Sequence, residues 1–336
     1  MKYVLLTLRA DNNGEGGIFS LFALVRKESK YLIIPAMIGG SALLADGMLT
    51  PAVTVTSAVE GLRLIPSLNN FFHSNENNIL IIVICILAVL FFIQYLGTNF
   101  VGKLFSPIML VWFSSLAFFG LINLNNNWGL LRALSPHYAI SILFSSENKV
   151  GFFILGSIFL ATTGAEALYS DLGHVGRKNI YITWPFVKVC LLINYFGQGA
   201  WLLSAKQNGT FINAEDLNPF FQMIPNSLLL FGIIISTLAA IIASQALISG
   251  SFTLVSEAIK LNLFPKLHTL YPSESKGQLY IPSINKVLCF VCIGIVLYFK
   301  SSENMEAAYG LAITVTMLMT SILLFNYLLM KKTPFI

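Results

Sequence analysis

Two acidic residues lie inside long apolar stretches of the sequence. Asp46 is the sixteenth residue of the stretch 31–60, and Glu166 lies near the end of the stretch 150–170. A carboxylate near the centre of a lipid bilayer costs at least about 2.5–3.5 kcal/mol, so it usually faces a cavity or a partner. These two carboxylates are therefore the first candidates for chemistry.

The residues that follow Asp46 suggest an oxygen-rich helix face. Thr50 and Thr54 follow at i+4 and i+8, which puts a carboxylate and two hydroxyls in one column. Pro51 has no N–H for the carbonyl of Gly47, and that freed carbonyl adds a further oxygen. Such a cluster can replace the hydration shell of an ion. The alternative is that the threonines bond back to their own helix and that Asp46 is capped near the lipid headgroups.

Around Glu166, Thr162 and Thr163 lie one turn earlier and Gly164 allows the backbone to open. Discontinuous helices of this kind supply carbonyls and hydroxyls at transporter sites. Glu166 is thus expected either to bind a cation directly or to carry a coupling proton. The alternative is an acid near the cytoplasmic end of its span. Tyr309, beside Gly310, is a candidate for an additional oxygen ligand.

Other chemistries have little support. Cys289 and Cys292 have the spacing of a metal or redox pair, but their neighbours are apolar and a second pair is missing from the sequence. We interpret them as small apolar residues of a helix and expect no metal site beyond a transported ion. The spans contain no nucleophile–base pair, so we expect neither an enzyme nor a cofactor.

The elements that hold these residues must be membrane helices. Hydrophobic residues make up 56% of the 336 and charged residues only 10%, whereas soluble domains carry about 25% charged residues. A spanning helix needs about 20 mostly apolar residues. We predict one transmembrane domain over 1–336, with residues 9–30 as a cytoplasmic loop. The eight predicted spans are 31–60, 79–96, 104–124, 150–170, 179–204, 226–250, 284–300 and 305–330.

The distribution of lysine and arginine predicts the orientation, because cytoplasmic loops carry the excess of these residues. If residues 9–30 are cytoplasmic, loops on that side hold thirteen basic residues and the opposite loops hold five. Both ends of the chain are then cytoplasmic. Spans one to three and six to eight enter from opposite sides, as in an inverted repeat. Basic runs never exceed two residues, which argues against nucleic-acid binding.

Short sequence segments along nearly the whole chain resemble the potassium uptake permease family (KUP/HAK/KT). The matching segments include Arg9–Gly17, Asp46–Ala52, Ser57–Gly61, Thr163–Tyr169, Asp171–His174, Asn194–Ala200, Asn218–Phe221, Ala243–Ala246, Gly277–Pro282 and Ala308–Gly310. Residue 45 is alanine where the family often has glycine.

The resemblance implies an all-α membrane protein, a polytopic transmembrane helix bundle with an incomplete amino-acid-permease (LeuT-like) inverted-repeat fold. The family's first helix, most of its second, its last two helices and its cytoplasmic tail are absent from the sequence, so the chain is expected to be truncated at both ends. The resemblance implies a multi-pass protein of the plasma (inner) membrane, with potassium ion, proton and lipid bilayer as partners and a homodimer left open.

By the same resemblance, five residues are expected to bind potassium, and Glu166 to serve proton coupling or cation binding. The five are Asp46, Thr50, Thr54, Thr163 and Tyr309. The implied function is potassium uptake as a proton–potassium symporter. The alternatives are a related cation or amino-acid permease, or a non-transporting truncated remnant.

Overall fold

The structure is a computed structural model, and within its described residues the chain is helical apart from turns and two isolated β-bridges, Asn12 with Glu15 and Leu270 with Tyr280. The described residues are 2–12, 14–27, 29–66, 77–96, 99–125, 127–145, 154–161, 163–170, 172–209, 217–271 and 279–331.

The described α-helices are numbered here in chain order. They are α1 (Lys2–Leu5), α2 (Ile18–Val25), α3 (Ile33–Glu60), α4 (Asn77–Ile93), α5 (Asn99–Leu124), α6 (Pro136–Phe144), α7 (Ile154–Ala161), α8 (Ala165–Ser170), α9 (Leu172–Val175), α10 (Arg177–Gln207), α11 (Pro219–Gln222), α12 (Leu229–Lys260), α13 (Pro282–Phe299) and α14 (Ser302–Met330).

Six of the described helices are long and apolar enough to cross a membrane. They are α3, α5, α10, α12, α13 and α14. The chain is therefore a polytopic helical membrane protein. Helix α4, which overlaps the predicted span 79–96, is apolar but has 17 residues, which is about 26 Å at 1.5 Å per residue.

The predicted span 150–170 is divided into two short helices, α7 and α8. Between them Gly164 has φ +92°, a left-handed conformation that glycine adopts without a steric penalty. The chain can therefore interrupt its helical hydrogen bonds inside an apolar stretch. Residues 150–153 and Thr162, which belong to the same prediction, lie outside the described residues.

The segment 9–30, predicted to be a cytoplasmic loop, contains helix α2 and packs against the bundle. The apolar residues of α2 are mostly buried, which accounts for an ordered helix within this segment. The Tyr169 hydroxyl donates to the carbonyl of Ala10 at 2.6 Å. Arg177 forms an ion pair with Asp11. The segment is thus attached to α8 and to the start of α10.

Helix α3 lies at the centre of the fold. It contacts α14 more extensively than any other described pair of helices contact each other, and it also packs on α12, α13, α4 and α2. It continues through Pro51 without interruption. One buried apolar cluster covers α3 up to Leu43, and a second covers it from Ala52 onward. Asp46 therefore lies where the two clusters meet.

Candidate cation site

Asp46 is buried with Thr50 as its hydrogen-bond partner. Its exposed fraction is 3%, and that of Thr50 is 5%. The Thr50 hydroxyl donates to the Asp46 carboxylate at 2.6 Å, along the predicted i+4 face. A hydroxyl bonded to an ionised carboxylate makes a stronger bond than one between neutral groups. Thr50 thus orients the carboxylate in the middle of α3.

Thr54 follows the alternative considered for the threonines, because its hydroxyl donates to the Thr50 carbonyl of its own helix at 2.7 Å. The same hydroxyl lies 3.5 Å from the hydroxyl of Ser244 on α12. Ser244 is fully buried. The sequence analysis did not select it, although it lies in the segment Ala243–Ala246 that carries the family resemblance. It extends the hydroxyl column of α3 onto a second helix.

The break between α7 and α8 supplies the next group of oxygens. The Thr163 hydroxyl donates to the carbonyl of Leu160 at 2.9 Å. The N–H of Gly164 donates to the Glu166 carboxylate at 3.3 Å. Glu166 is 3% exposed. The predicted opening at Gly164 is therefore bridged in part by the acidic side chain that follows it.

Tyr309 connects α14 to both of these groups. Its hydroxyl lies 3.3 Å from the Thr163 hydroxyl and within hydrogen-bonding reach of Thr50. Three parts of the chain that are far apart in sequence therefore meet at one point. Of the six residues that the sequence analysis selected, the structure brings together Asp46, Thr50, Thr163, Glu166 and Tyr309. Thr54 lies one turn further along α3 and is connected to them through the carbonyl of Thr50.

The electrostatics of this cluster favour a cation. Asp46 and Glu166 are close enough for their charges to interact, and two like charges in a low-dielectric site repel each other strongly. In the described part of the chain, no lysine or arginine pairs with Asp46; the ion pair found there joins Arg177 and Asp11. A cluster of carboxylate and hydroxyl oxygens can coordinate a dehydrated cation and offset this repulsion.

A small cavity adjoins the site one turn before Asp46 along α3. Its volume is about 20 Å³, which is roughly the space that one water molecule needs. It lies between α3, α8 and α12, and its lining includes Leu43, Ser170 and Ser251.

Two other polar residues of α10 make contacts outside the oxygen cluster. The Asn194 amide donates to the carbonyl of Leu116 at 3.3 Å and links α10 to α5. The ammonium of Lys188 lies 5.5 Å from the ring centre of Trp184 on its own helix. A further buried pair, Gln94 and Gln245, was not selected at all. Their amides are 151 positions apart and exchange hydrogen bonds, one at 3.0 Å.

Comparison with known proteins identifies the group of sequences to which this one is similar. Residues 1–336 match the family described as "K+ potassium transporter integral membrane domain". A relative from Clostridium perfringens (strain SM101 / Type A), "Probable potassium transport system protein Kup", is 71% identical over 334 residues, which cover 99% of this chain and 51% of the relative.

Two more relatives have names that also describe potassium transport. A protein with the same name from Enterococcus faecalis (strain ATCC 700802 / V583) is 60% identical over 331 residues, covering 98% of this chain and 50% of its own length. The "Probable potassium transport system protein Kup 1" of Lactococcus lactis subsp. lactis (strain IL1403) is 62% identical over 328 residues, covering 98% and 48%. The chain thus spans about half the length of the curated relatives it matches. All three are named as transport proteins, not as enzymes.

Proposed function

The chain belongs to the K+ potassium transporter family, and from that membership we propose that it forms the core of a protein that takes up potassium across the plasma membrane. The observation that carries the proposal is the buried carboxylate of Asp46 among oxygen donors from three parts of the chain, without a basic residue paired to it in the described part. A transported cation supplies the charge that this site needs.

In this proposal Asp46, Thr50, Thr54, Thr163 and Tyr309 provide potassium ligands, and Glu166 binds the cation or carries a proton. Asp46 provides the fixed negative charge. The neutral hydroxyls provide oxygens that replace water without adding further repulsion. The inside-negative membrane potential favours uptake by about 2.3 kcal/mol per charge per 100 mV.

We further propose a LeuT-like inverted-repeat arrangement of the eight spans in one transmembrane domain, with both chain ends and residues 9–30 on the cytoplasmic side. The interruption at Gly164 supports this arrangement, because such folds place broken helices at their substrate sites. The bias of thirteen basic residues against five supports the orientation. A homodimer remains a separate proposal, which the mass of the purified protein in detergent tests.

The decisive experiment measures rubidium uptake, as a tracer for potassium, in a bacterial strain that lacks its own potassium uptake systems. Asp46→Asn keeps the shape of the side chain but removes its charge, and we expect it to abolish uptake. Glu303→Gln, an exposed acid at the start of α14, is the matched control and should retain uptake. Normal uptake by Asp46→Asn, at the same amount of protein in the membrane, would contradict the assignment of Asp46 to the potassium site.

Substrate identity and coupling have separate tests. Excess potassium should compete with rubidium, whereas competition by an amino acid instead would favour the alternative permease. A symporter should show uptake that depends on external pH, and Glu166→Gln should weaken that dependence. Unchanged pH dependence in Glu166→Gln would remove the proton role from this residue and leave the potassium site standing. Protein that reaches the membrane yet shows no potassium-dependent thermal stabilisation would favour the non-transporting remnant.

A further inference from the structure

Helices α3 and α14, which meet at the site, are also joined where α3 ends and α14 begins. Glu60 is the last residue of α3, and Ser302 is the first residue of α14. One carboxylate oxygen of Glu60 accepts the backbone N–H of Ser302 at 3.1 Å. The other accepts the Ser302 hydroxyl. A single side chain of α3 thus holds the beginning of α14 through two bonds.

This contact provides a hydrogen-bond acceptor at the start of α14, where the local sequence provides none through a capping side chain. The first N–H groups of a helix have no partner within the helix and carry a partial positive charge. Ser301, at the N-cap position of α14, makes no side-chain capping bond. Glu60 therefore supplies from another helix the acceptor that a local cap normally provides, and a carboxylate is favourable beside a helix N-terminus.

The contact also relates the position of α14 to the site. Ser302 and Tyr309 are seven residues apart, which is about two helical turns and about 10 Å along the axis, so they lie on the same face. Between them Met305 is fully buried in the apolar cluster shared with α3. A shift of α14 by one residue along α3 would move the Tyr309 hydroxyl by about 1.5 Å. Such a shift is enough to break its 3.3 Å contact with Thr163.

We propose that Glu60 is a positioning residue for the cation site: it fixes the register of α14 on α3 and thereby holds the Tyr309 hydroxyl beside Thr50 and Thr163. The inference rests on the proposed function of that site. It differs from a simple capping role, because a cap alone affects the amount of folded protein and leaves the affinity for the ion unchanged. The two roles therefore predict different kinetic effects.

The test compares the KM for rubidium and the discrimination between potassium and sodium in a set of variants. Glu60→Ala removes both bonds and should raise KM at least threefold and reduce the preference for potassium. Glu60→Gln retains an acceptor for the Ser302 N–H and should stay within twofold of the wild type. Glu303→Gln removes a charge from the same turn of α14, is exposed, and serves as the matched control with an unchanged KM.

A wild-type KM in Glu60→Ala, with only a lower maximal rate in proportion to the protein present, would overturn the proposal. If Glu60→Ala does not reach the membrane, Glu60→Asp replaces it, since its carboxylate is retained but withdrawn by one methylene. Glu60→Asp should also raise KM, and a wild-type KM in that variant would likewise contradict the positioning role of Glu60. The proposed function fails separately, through normal uptake by Asp46→Asn.

Discussion

The hydroxyl of Thr163 lies 3.3 Å from the hydroxyl of Tyr309, although the two residues are 146 positions apart. One belongs to the break between α7 and α8, and the other to the third turn of α14. Because Tyr309 also reaches Thr50, this contact makes the three parts of the site a single cluster. The first prediction tests its contribution.

Replacing Tyr309 by phenylalanine removes the hydroxyl and keeps the ring. A typical hydrogen bond contributes about 0.5–1.5 kcal/mol, so we expect KM for rubidium to rise about two- to tenfold. Tyr298→Phe is the control, because Tyr298 is 80% exposed on α13. Equal KM values for wild type and Tyr309→Phe would show that the hydroxyl is not an ion ligand.

Thr50→Val removes the donor to Asp46 while keeping a β-branched side chain. A buried carboxylate that loses its donor costs about 1–3 kcal/mol, so we expect the affinity for potassium to fall at least about fivefold. The affinity is measured from the potassium dependence of the thermal stability of the purified protein. Thr50→Ser should retain most of it. Thr314→Val is the control, since the Thr314 hydroxyl bonds only its own helix at an exposed position. An effect of the same size in Thr314→Val would contradict the specific role of Thr50.

Gly47 lies so close to Ser251 that a Cβ at position 47 would overlap the serine hydroxyl. Overpacking of this kind usually costs about 1–3 kcal/mol, so Gly47→Ala should lower the melting temperature. The double variant Gly47→Ala with Ser251→Ala should recover much of the loss, because the next atom, the Ser251 Cβ, is 3.5 Å away. Gly294→Ala, where a Cβ meets nothing within 4 Å, is the control. Failure of the double variant to recover would place the strain elsewhere.

The Gln94–Gln245 pair predicts a non-additive effect on stability. Both amides are buried, so either single change to leucine leaves the other amide without its partner at a cost of about 1–3 kcal/mol. Changing both to leucine should be less harmful than the sum of the single changes, as measured by thermal unfolding in detergent. Gln207→Leu, at an exposed helix end, is the control. Additive losses would contradict the direct contact between the amides.

The sequence alone predicted the contacts within one helix, but it did not predict the contacts between residues far apart in the chain. Asp46 and Thr50 are one helical turn apart, so the helix geometry alone predicts their contact. Gly164 likewise predicted an opening that the structure shows between α7 and α8. The contact of Thr163 with Tyr309 depends on how helices pack, and only the family resemblance brought these two residues into one site.

The missed residues explain the limit of such reasoning. Gln94, Gln245 and Ser244 are uncharged polar residues, which often make ordinary contacts between membrane helices. Their partners are 151 and 190 positions away. No periodicity in the sequence relates positions at such separations, because tertiary packing alone determines which helix faces meet. For Thr54 the local alternative was correct in part, since its hydroxyl bonds its own helix.

The bond from the Gly164 N–H to the Glu166 carboxylate has a mechanical consequence. Helices α7 and α8 act as two stiff rods, about 12 Å and 9 Å long, joined where the hydrogen-bond ladder is interrupted. The carboxylate that we propose to bind the cation or carry a proton thus also bridges the break between the two helices. A cation or proton drawn to that oxygen competes with the N–H for its electron density, so we expect occupancy to alter the angle between the rods. Faster amide hydrogen exchange at Gly164 on adding potassium would show that occupancy weakens this hydrogen bond. An unchanged exchange rate would contradict the expected coupling.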